Sequence, residues 1–321
     1  MPGVAAAGEL RHVSFVYQNL ADYRSRLGAF VRAGLSGREP VLLAVPRPSI
    51  TLPEWPAGSS ALLTVTDMTE LGRNPARVIP ALRSFAERHI GRRARMITES
   101  IWPGRSVSEI CEAARHDALI DLALADLTAT LICPFSAADL PPSALSDAGR
   151  AHQWLFEADA PVPNSQYSAQ DTVPTAIGVP LARVPADAET VHYRTDLRPV
   201  RAMVTDACRR VGLSVMRATD MTLAVSELAA NTLRHTRAGG VAQAWQRGGE
   251  LLCQISDTGH ITDPLAGIRR PEPGEPGGQG LWLVNQVCDL VELRTSEAGT
   301  VIRLHIRIDR DYETPARADD V

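Results

Sequence analysis

The chain has 321 residues, of which 45% are hydrophobic, and a formal net charge of −4 with acids and bases interspersed. That length can bury a large core and suggests about two domains; no apolar run nears ~18 residues and "MPGVAAAGELRH" lacks a signal peptide's basic head and apolar core, so a cytoplasmic protein without membrane contact is expected. No basic run carries interleaved aromatics, which argues against direct nucleic-acid binding, and all 33 basic residues are arginine, which excludes a Walker phosphate loop and lysine-based Schiff-base or general-base chemistry.

The N-terminal half alternates strand-like and helix-like segments: "HVSFVY", helix "LADYRSRLGAFVRAGL", "PVLLAV", "ALLTVT", helix "PARVIPALRSFAERHI", "ARMITE", helix "SVSEICEAARHDALIDLAL" and "TATLIC". Such alternation predicts a mainly parallel sheet covered by helices. Three strands are expected to stop at special residues: Asp67, Glu99 and the pair Cys133–Pro134. Ligands of open α/β sheets lie beyond the carboxyl ends of strands. Asp67 and Glu99 are therefore the candidate sensory-site residues, against the plain alternative of strand-end loop acids. The five cysteines (Cys111, Cys133, Cys208, Cys253, Cys288) are scattered and without CxxC spacing, so neither a disulfide framework nor a zinc site is expected, and Cys253 reads as a buried strand residue.

The segments "RHVSFVYQN", "FVRAGLSGREPVLLAV", "ITESIWPGRSVSEICEAARHDALIDLAL" and "LICPFSAADLPPSALSDAGRAHQ" resemble the MEDS sensory domain found at the front of bacterial transcriptional and anti-sigma regulators. The resemblance covers roughly residues 9 to 155. It implies a RecA-like α/β sensor without a phosphate loop, responding to a small-molecule signal that the residues do not name.

Between about 158 and 189 Pro and small polar residues concentrate, a linker composition. The expected organisation is a sensory domain over 1–157, a linker over 158–189, a second domain over 190–310 and a disordered tail over 311–321.

The second domain opens with "TVHYRTDL" and the helix "RPVRAMVTDACRRVGL", followed by a helix containing "VSELAANTLRHT". Steps of four along a helix rotate by only about 40°, so Glu227, Asn231 and His235 share one face. Beside that row Met221, Val225, Leu228 and Thr232 form the stripe that packs on a sheet. The strands "GVAQAWQR" and "ELLCQIS" come next, the second placing Leu251, Cys253 and Ile255 on one face before "DTGHITDPLAG". The loop "IRRPEPGEPGGQG" leads into the helix "LWLVNQVC" and the strands "LVELRTS" and "GTVIRLHIRI". Glycines at a helix start suit phosphate, because unpaired N–H groups and the helix dipole face the anion.

Four features thus follow in order: Glu-xxx-Asn on a helix, Asp-x-Gly after a strand, Gly-Gly-x-Gly before a helix and Gly-Thr opening a strand. Together they resemble the GHKL ATP-binding fold of histidine kinases, gyrase, MutL and the RsbW-type anti-sigma serine kinases, over about residues 190 to 308. The fold class implied for the whole chain is a RecA-like α/β domain followed by a two-layer α/β sandwich of the GHKL type. The cofactors implied are ATP and Mg²⁺. By the same resemblance Asn231 holds Mg²⁺ against the phosphates, an amide oxygen being a hard ligand. Asp257 accepts from the adenine amino group, Gly259 lets the base approach, and Thr300 lies beside the same base edge. Gly277, Gly278 and Gly280 wrap the phosphates, and Glu227 is the general base that orients a water or a substrate hydroxyl. One position departs from the family pattern: Ile261 stands where the box usually has its second glycine, and the lid is short and proline-rich, features that bear on lid closure and turnover.

Three functions compete. A sensor histidine kinase needs a phosphoacceptor on a dimerising helical hairpin, and His116 in "RHDALIDLAL" runs instead into the strand "TATLIC". A gyrase- or MutL-like ATPase needs a transducer domain after the nucleotide fold, where this sequence ends. The third reading is a regulator of transcription: an anti-sigma factor with ATP-dependent Ser/Thr kinase activity on an antagonist protein, controlled by the sensory domain. An ATP-gated anti-sigma binding module without kinase activity is its non-enzymatic alternative. The partners implied are a sigma factor and an anti-sigma antagonist, and a homodimer is compatible. Arg201 aligns with a position such kinases use toward partners, and Arg269 and Arg270 in the lid could contact the terminal phosphate, each against the alternative of a solvated arginine.

Overall fold

The computed structural model describes residues 9–46, 61–168, 180–272 and 278–308. They fall into two compact units, Met1–Val179 and Pro180–Val321. The expected tail over 311–321, part of the expected linker and Gly277 lie outside the described residues. Among the described residues no helix is long and apolar enough to cross a membrane.

The first unit is built on seven strands: β1 (Leu10–Tyr17), β2 (Val41–Val45), β3 (Leu63–Asp67), β4 (Ala94–Thr98), β5 (Ala129–Ser136), β6 (Trp154–Glu157) and β7 (Ala160–Pro163). Their order is β3-β2-β4-β5-β1-β6-β7, parallel throughout except for the β6–β7 hairpin. The helices are α1 (Leu20–Ser36), α2 (Met68–Leu71), α3 (Val78–Glu87), α4 (Val107–Ala118), α5 (Ile120–Ala123) and α6 (Pro142–Ala151). Strands of a parallel sheet are covered on both faces and read as continuous apolar runs. Accordingly Val41–Val45 is buried at every residue, and Val13, Phe15, Leu27, Val31, Leu43 and Ile132 form one core cluster. Helix α4 starts at a reciprocal capping box between Ser106 and Glu109.

Two expectations are corrected here. Strand β5 does not stop at Cys133–Pro134 but continues to Ser136, pairing with β1 along its whole length. Its pairing with β4 ends at Ile132, so Pro134 lies where β5 has outrun one neighbour and the missing N–H costs least. The linker does not begin at 158 either, because residues 158 and 159 make the turn of the β6–β7 hairpin. Ala158 and Asp159 both have positive φ (43° and 65°), as the tight two-residue turn demands. Pro161 and Pro163 are tolerated because β7 is the last strand of the sheet.

The second unit is an antiparallel five-stranded sheet, order β11-β12-β10-β9-β8, with helices on one face. Its elements are β8 (Glu189–Tyr193), α7 (Arg198–Val211), α8 (Val215–His235), β9 (Gly240–Arg247), β10 (Glu250–Asp257), α9 (Gln279–Val287), β11 (Leu290–Ser296) and β12 (Gly299–Arg307). The stripe expected on α8 is the one that packs: Met221, Val225 and Leu228 join Leu251, Cys253, Ile255, Ile302 and Leu304 in a single core. Each such side chain contributes ~1.5–3 kcal/mol by leaving water. Helix α7 ends at Gly212, whose φ of 74° lets the chain reverse into α8. Residues of the expected linker belong to this unit, since the Ala182 carbonyl accepts from Arg303 Nη2 at 2.6 Å.

This unit closes its own core and sheet. Residues 180–321 expressed alone are therefore expected to unfold in one cooperative thermal transition, checked by calorimetric scanning. A broad, non-cooperative melt of that fragment would contradict separable domains.

Candidate functional site

The polar row of α8 meets the glycine loop. A methyl added at Gly280, in the first turn of α9, would lie 3.0 Å from Glu227 Oε2 and 3.2 Å from Asn231 Nδ2. Only a glycine lets the helix start approach that closely. Helix α9 opens from Gly278, which has φ 76° and no side-chain cap, so the N–H groups of its first turn lack a side-chain acceptor there. His235, the third member of the row, is exposed at the end of α8 and is not part of this meeting.

The residue after Asn231 on α8, the stripe residue Thr232, reaches the end of β10. Its hydroxyl donates to Asp257 Oδ2 at 2.5 Å, while Asp257 Oδ1 accepts from the Gly259 N–H at 2.8 Å. Both carboxylate oxygens are thus oriented by protein donors, and each keeps a lone pair for another donor. Thr300 sits opposite Asp257 in the sheet. Its hydroxyl donates to the Gly259 carbonyl at 2.8 Å and lies 2.9 Å from the Thr295 hydroxyl. Gly259 carries the approach: a methyl there would be 3.0 Å from Asp257 Oδ1 and 3.2 Å from Thr236 Cγ2. Gly299, with φ 134°, has the Asp257 carbonyl 2.3 Å from where a Cβ would stand.

Ile261 occupies the departing position without disturbing this frame. Its side chain packs against the core and its N–H donates to Thr295 Oγ1 at 2.9 Å. The turn that follows is seated on α9: Leu265 and Ile268 are buried, and Asn285 Nδ2 donates to the Gly267 carbonyl at 2.9 Å. Arg269 and Arg270 are exposed beyond it. Arg201, also exposed, donates from Nε to the Ser226 hydroxyl at 3.1 Å, which sets it on the surface of α8 beside Glu227 in the chain.

Sequence reasoning assigned no role to Thr232, Tyr193 or Asn285. Thr232 was hidden by its place in the apolar stripe, although a hydroxyl among Met, Val and Leu was a signal. Tyr193, on the edge strand β8, is 3% exposed. Burial first, and then the Asp257 charge, push its phenol pKa up. Nothing local in "TVHYRTDL" marks that position.

The two sensory candidates of the first unit stand at the carboxyl ends of two strands separated by one, Asp67 closing β3 and Glu99 directly following β4. β3 and β4 flank β2, with Val45 opposite Asp67 and the Glu99 N–H on the Ala44 carbonyl. Asp67 caps α2, accepting from the Thr69 N–H at 2.9 Å and the Thr69 hydroxyl at 2.8 Å. Glu99 is 2% exposed and accepts from the hydroxyls of Tyr23 at 2.9 Å and Tyr17 at 3.4 Å. Burial first, then the Glu99 charge, pushes both phenols well up. His116 is buried in α4, with Nδ1 at 2.7 Å from the Glu112 carbonyl.

Gly280 gives a direct check on the meeting of the two helices. Gly280→Ala should leave thermal stability level or slightly higher, because alanine favours a helix by ~0.5–1 kcal/mol. The methyl crowds Glu227 and Asn231, and the affinity for the nucleotide that the sequence resemblance implies, measured by calorimetry, should fall by roughly tenfold, about 1.4 kcal/mol. An unchanged affinity would separate Gly280 from the ligand.

Residues 11–153 match the family model of MEDS, the methanogen/methylotroph DcmR sensory domain. Residues 192–306 match that of the histidine kinase-like ATPase domain. Part of the chain is similar to the crystal structure of the RsbU and RsbW domains of Rv1364c from Mycobacterium tuberculosis, at 20% identity and TM-score 0.30, covering 40% of this chain and 34% of that one. Another similar structure is the Erythrobacter litoralis EL346 blue-light activated histidine kinase, at 20% identity and TM-score 0.26, covering 35% of this chain and 42% of that one. The chain thus spans less than half the length of either. No curated protein matches it.

Proposed function

We propose that this chain, which joins a MEDS sensory domain to a GHKL-type ATPase domain, is an ATP-dependent regulator of transcription. In this reading the ATPase domain holds a sigma factor and phosphorylates a Ser or Thr on an antagonist protein, and the sensory domain adjusts both in response to a small-molecule signal. The observation that carries it is the approach of Gly280 to Glu227 and Asn231, which puts a helix N-terminus, a carboxylate and an amide around one point.

Asp257, oriented by Thr232 and Gly259, is the acceptor for the adenine amino group, and Thr300 borders the same edge. Some 25 residues before it in sequence, Asn231 supplies the amide oxygen for Mg²⁺, which neutralises phosphate charge in such domains. The N–H groups at the start of α9 face the phosphates. Glu227 then orients the attacking hydroxyl and takes its proton, which is the work left once positioning and charge are supplied. Arg201 faces the protein partner, and Arg269 and Arg270 serve the lid. In a chain without lysine, backbone N–H groups, metal and arginine must supply all the positive field around the phosphates.

Ile261 favours a second reading. Its side chain is committed to the core where the family has a flexible glycine, which stiffens the base of the lid and suits an ATP-gated binding module without turnover. Incubating the full chain with labelled ATP, Mg²⁺ and antagonist proteins captured on it separates the two. Label on antagonist serine or threonine is the expected result. ATP-dependent retention of the sigma factor without transfer would replace the kinase by the module.

A further inference from the structure

The first unit contains a buried cluster that the sensory candidates do not use. His12 lies on β1, Asp117 on α4, Cys133 on β5 and His152 directly after α6, and one donor atom from each comes within 4.8 Å of all the others. All four are buried, His12 and His152 completely. Cys133 Sγ is 3.4 Å from His12 Nε2, His12 Nε2 is 3.6 Å from Asp117 Oδ1, and His152 Nε2 is 3.4 Å from Asp117 Oδ2. Tetrahedral coordination with bonds of ~2.0–2.3 Å requires donor–donor separations of about 3.3–3.8 Å. Three of the contacts already have that spacing, and one donor atom from each residue lies within 4.8 Å of the others, so small side-chain adjustments would close the tetrahedron.

A second observation points the same way. His152 Nε2 and Asp117 Oδ1 are buried and make no hydrogen bond, although orphaned polar atoms in a core cost ~1–3 kcal/mol each. The atoms behind them are arranged as metal-bound histidines require. His152 Nδ1 lies 2.6 Å from the Ala148 carbonyl, which makes it the protonated nitrogen and turns the Nε2 lone pair inward. His12 Nδ1 faces Asp121 Oδ1 at 3.4 Å, and Asp121 Oδ2 accepts from the Tyr167 hydroxyl at 2.9 Å. A carboxylate or carbonyl behind each ligating imidazole is the usual outer shell of a metal centre.

We propose that His12, Asp117, Cys133 and His152 form a closed four-ligand site for a divalent transition metal of the zinc class. Two imidazoles, a thiolate and a carboxylate are a borderline donor set that suits Zn²⁺, and four buried protein ligands mark a structural site. One thiolate and one carboxylate balance a divalent charge, which spares the core a net charge. The metal ties two central strands to α4 and to the end of α6. Binding breaks the Cys133 S–H bond and forms the S–metal bond, and the displaced thiol proton leaves to solvent together with any proton held on the two ligating imidazole nitrogens.

The test uses the full chain, purified without a metal-binding tag, dialysed against Zn²⁺ and then against metal-free buffer. Mass spectrometry should find one zinc per chain, and a chelator should lower Tm in a way that added Zn²⁺ restores. With Co²⁺ in its place, a thiolate-to-metal charge-transfer band should appear in the near ultraviolet and vanish in Cys133→Ser. Asp117→Asn, nearly the same shape, should retain the fold and weaken Co²⁺ binding at least tenfold, which keeps the test decisive if Cys133→Ser does not fold. Wild type retaining less than a tenth of an equivalent, a Tm indifferent to the chelator, or a Co²⁺ spectrum untouched by both substitutions would overturn the site.

Discussion

Asp257→Asn is expected to weaken ATP binding by about tenfold to more than a hundredfold, with the protein still folded. The carboxylate accepts from Thr232 on one oxygen and from the Gly259 N–H on the other. Asparagine keeps a single acceptor, and the Gly259 N–H claims it. The amide NH₂ then points at Thr232 and at the position of the adenine amino group, so a donor meets a donor. A buried donor left unmatched costs ~1–3 kcal/mol, and 1.4 kcal/mol is a factor of ten. The fold is spared because the Thr232 hydroxyl has another acceptor, the Leu228 carbonyl at 3.3 Å. Calorimetric titration with ATP and Mg²⁺ beside a thermal melt measures both halves. Wild-type affinity in a folded mutant would remove Asp257 from the base site.

That site was legible because its chemistry falls on short, ordered motifs. Glu227 and Asn231 share a helix face by spacing alone, and Asp257, Gly259, Gly278 and Gly280 stand where a strand or a helix changes direction. Strands β9 and β11 begin and end with the segments read as strands, "GVAQAWQR" and "LVELRTS". What escaped has physical causes. Helix α6 buries only Ala148 and Ala151, too small a face to give a period. The β6–β7 hairpin carries two prolines, and composition mistook an edge strand for a linker. Thr232 looked like core, and Tyr193 reaches Asp257 only through the pairing of β8 with β9. The buried His12, Asp117, Cys133 and His152 cluster is the sharpest case. Its members come from four separate elements, so cysteine spacing carried no trace of it.

Glu227→Gln is where the kinase and the binding module part company. The substitution preserves size and leaves a carbonyl oxygen that can still orient a hydroxyl, but it removes the basic site that takes the proton. Binding should change little, since the contacts assigned to the base and to Mg²⁺ lie on Asp257 and Asn231. Phosphoryl transfer should slow by ~10²–10⁴ fold, the usual contribution of a positioned general base. Asn231→Ala differs in kind, because losing a metal ligand weakens the Mg²⁺-dependent part of affinity together with the rate. Gly280 stands 3.0 Å from one of these side chains and 3.2 Å from the other, measured from an added methyl, so a shift of α9 would disturb both at once. Affinity in Glu227→Gln must therefore be measured on the same sample as the rate. A mutant that loses rate and keeps affinity identifies the base; one that loses both in proportion has moved the helix; one that transfers phosphate at the wild-type rate shows that Glu227 takes no proton.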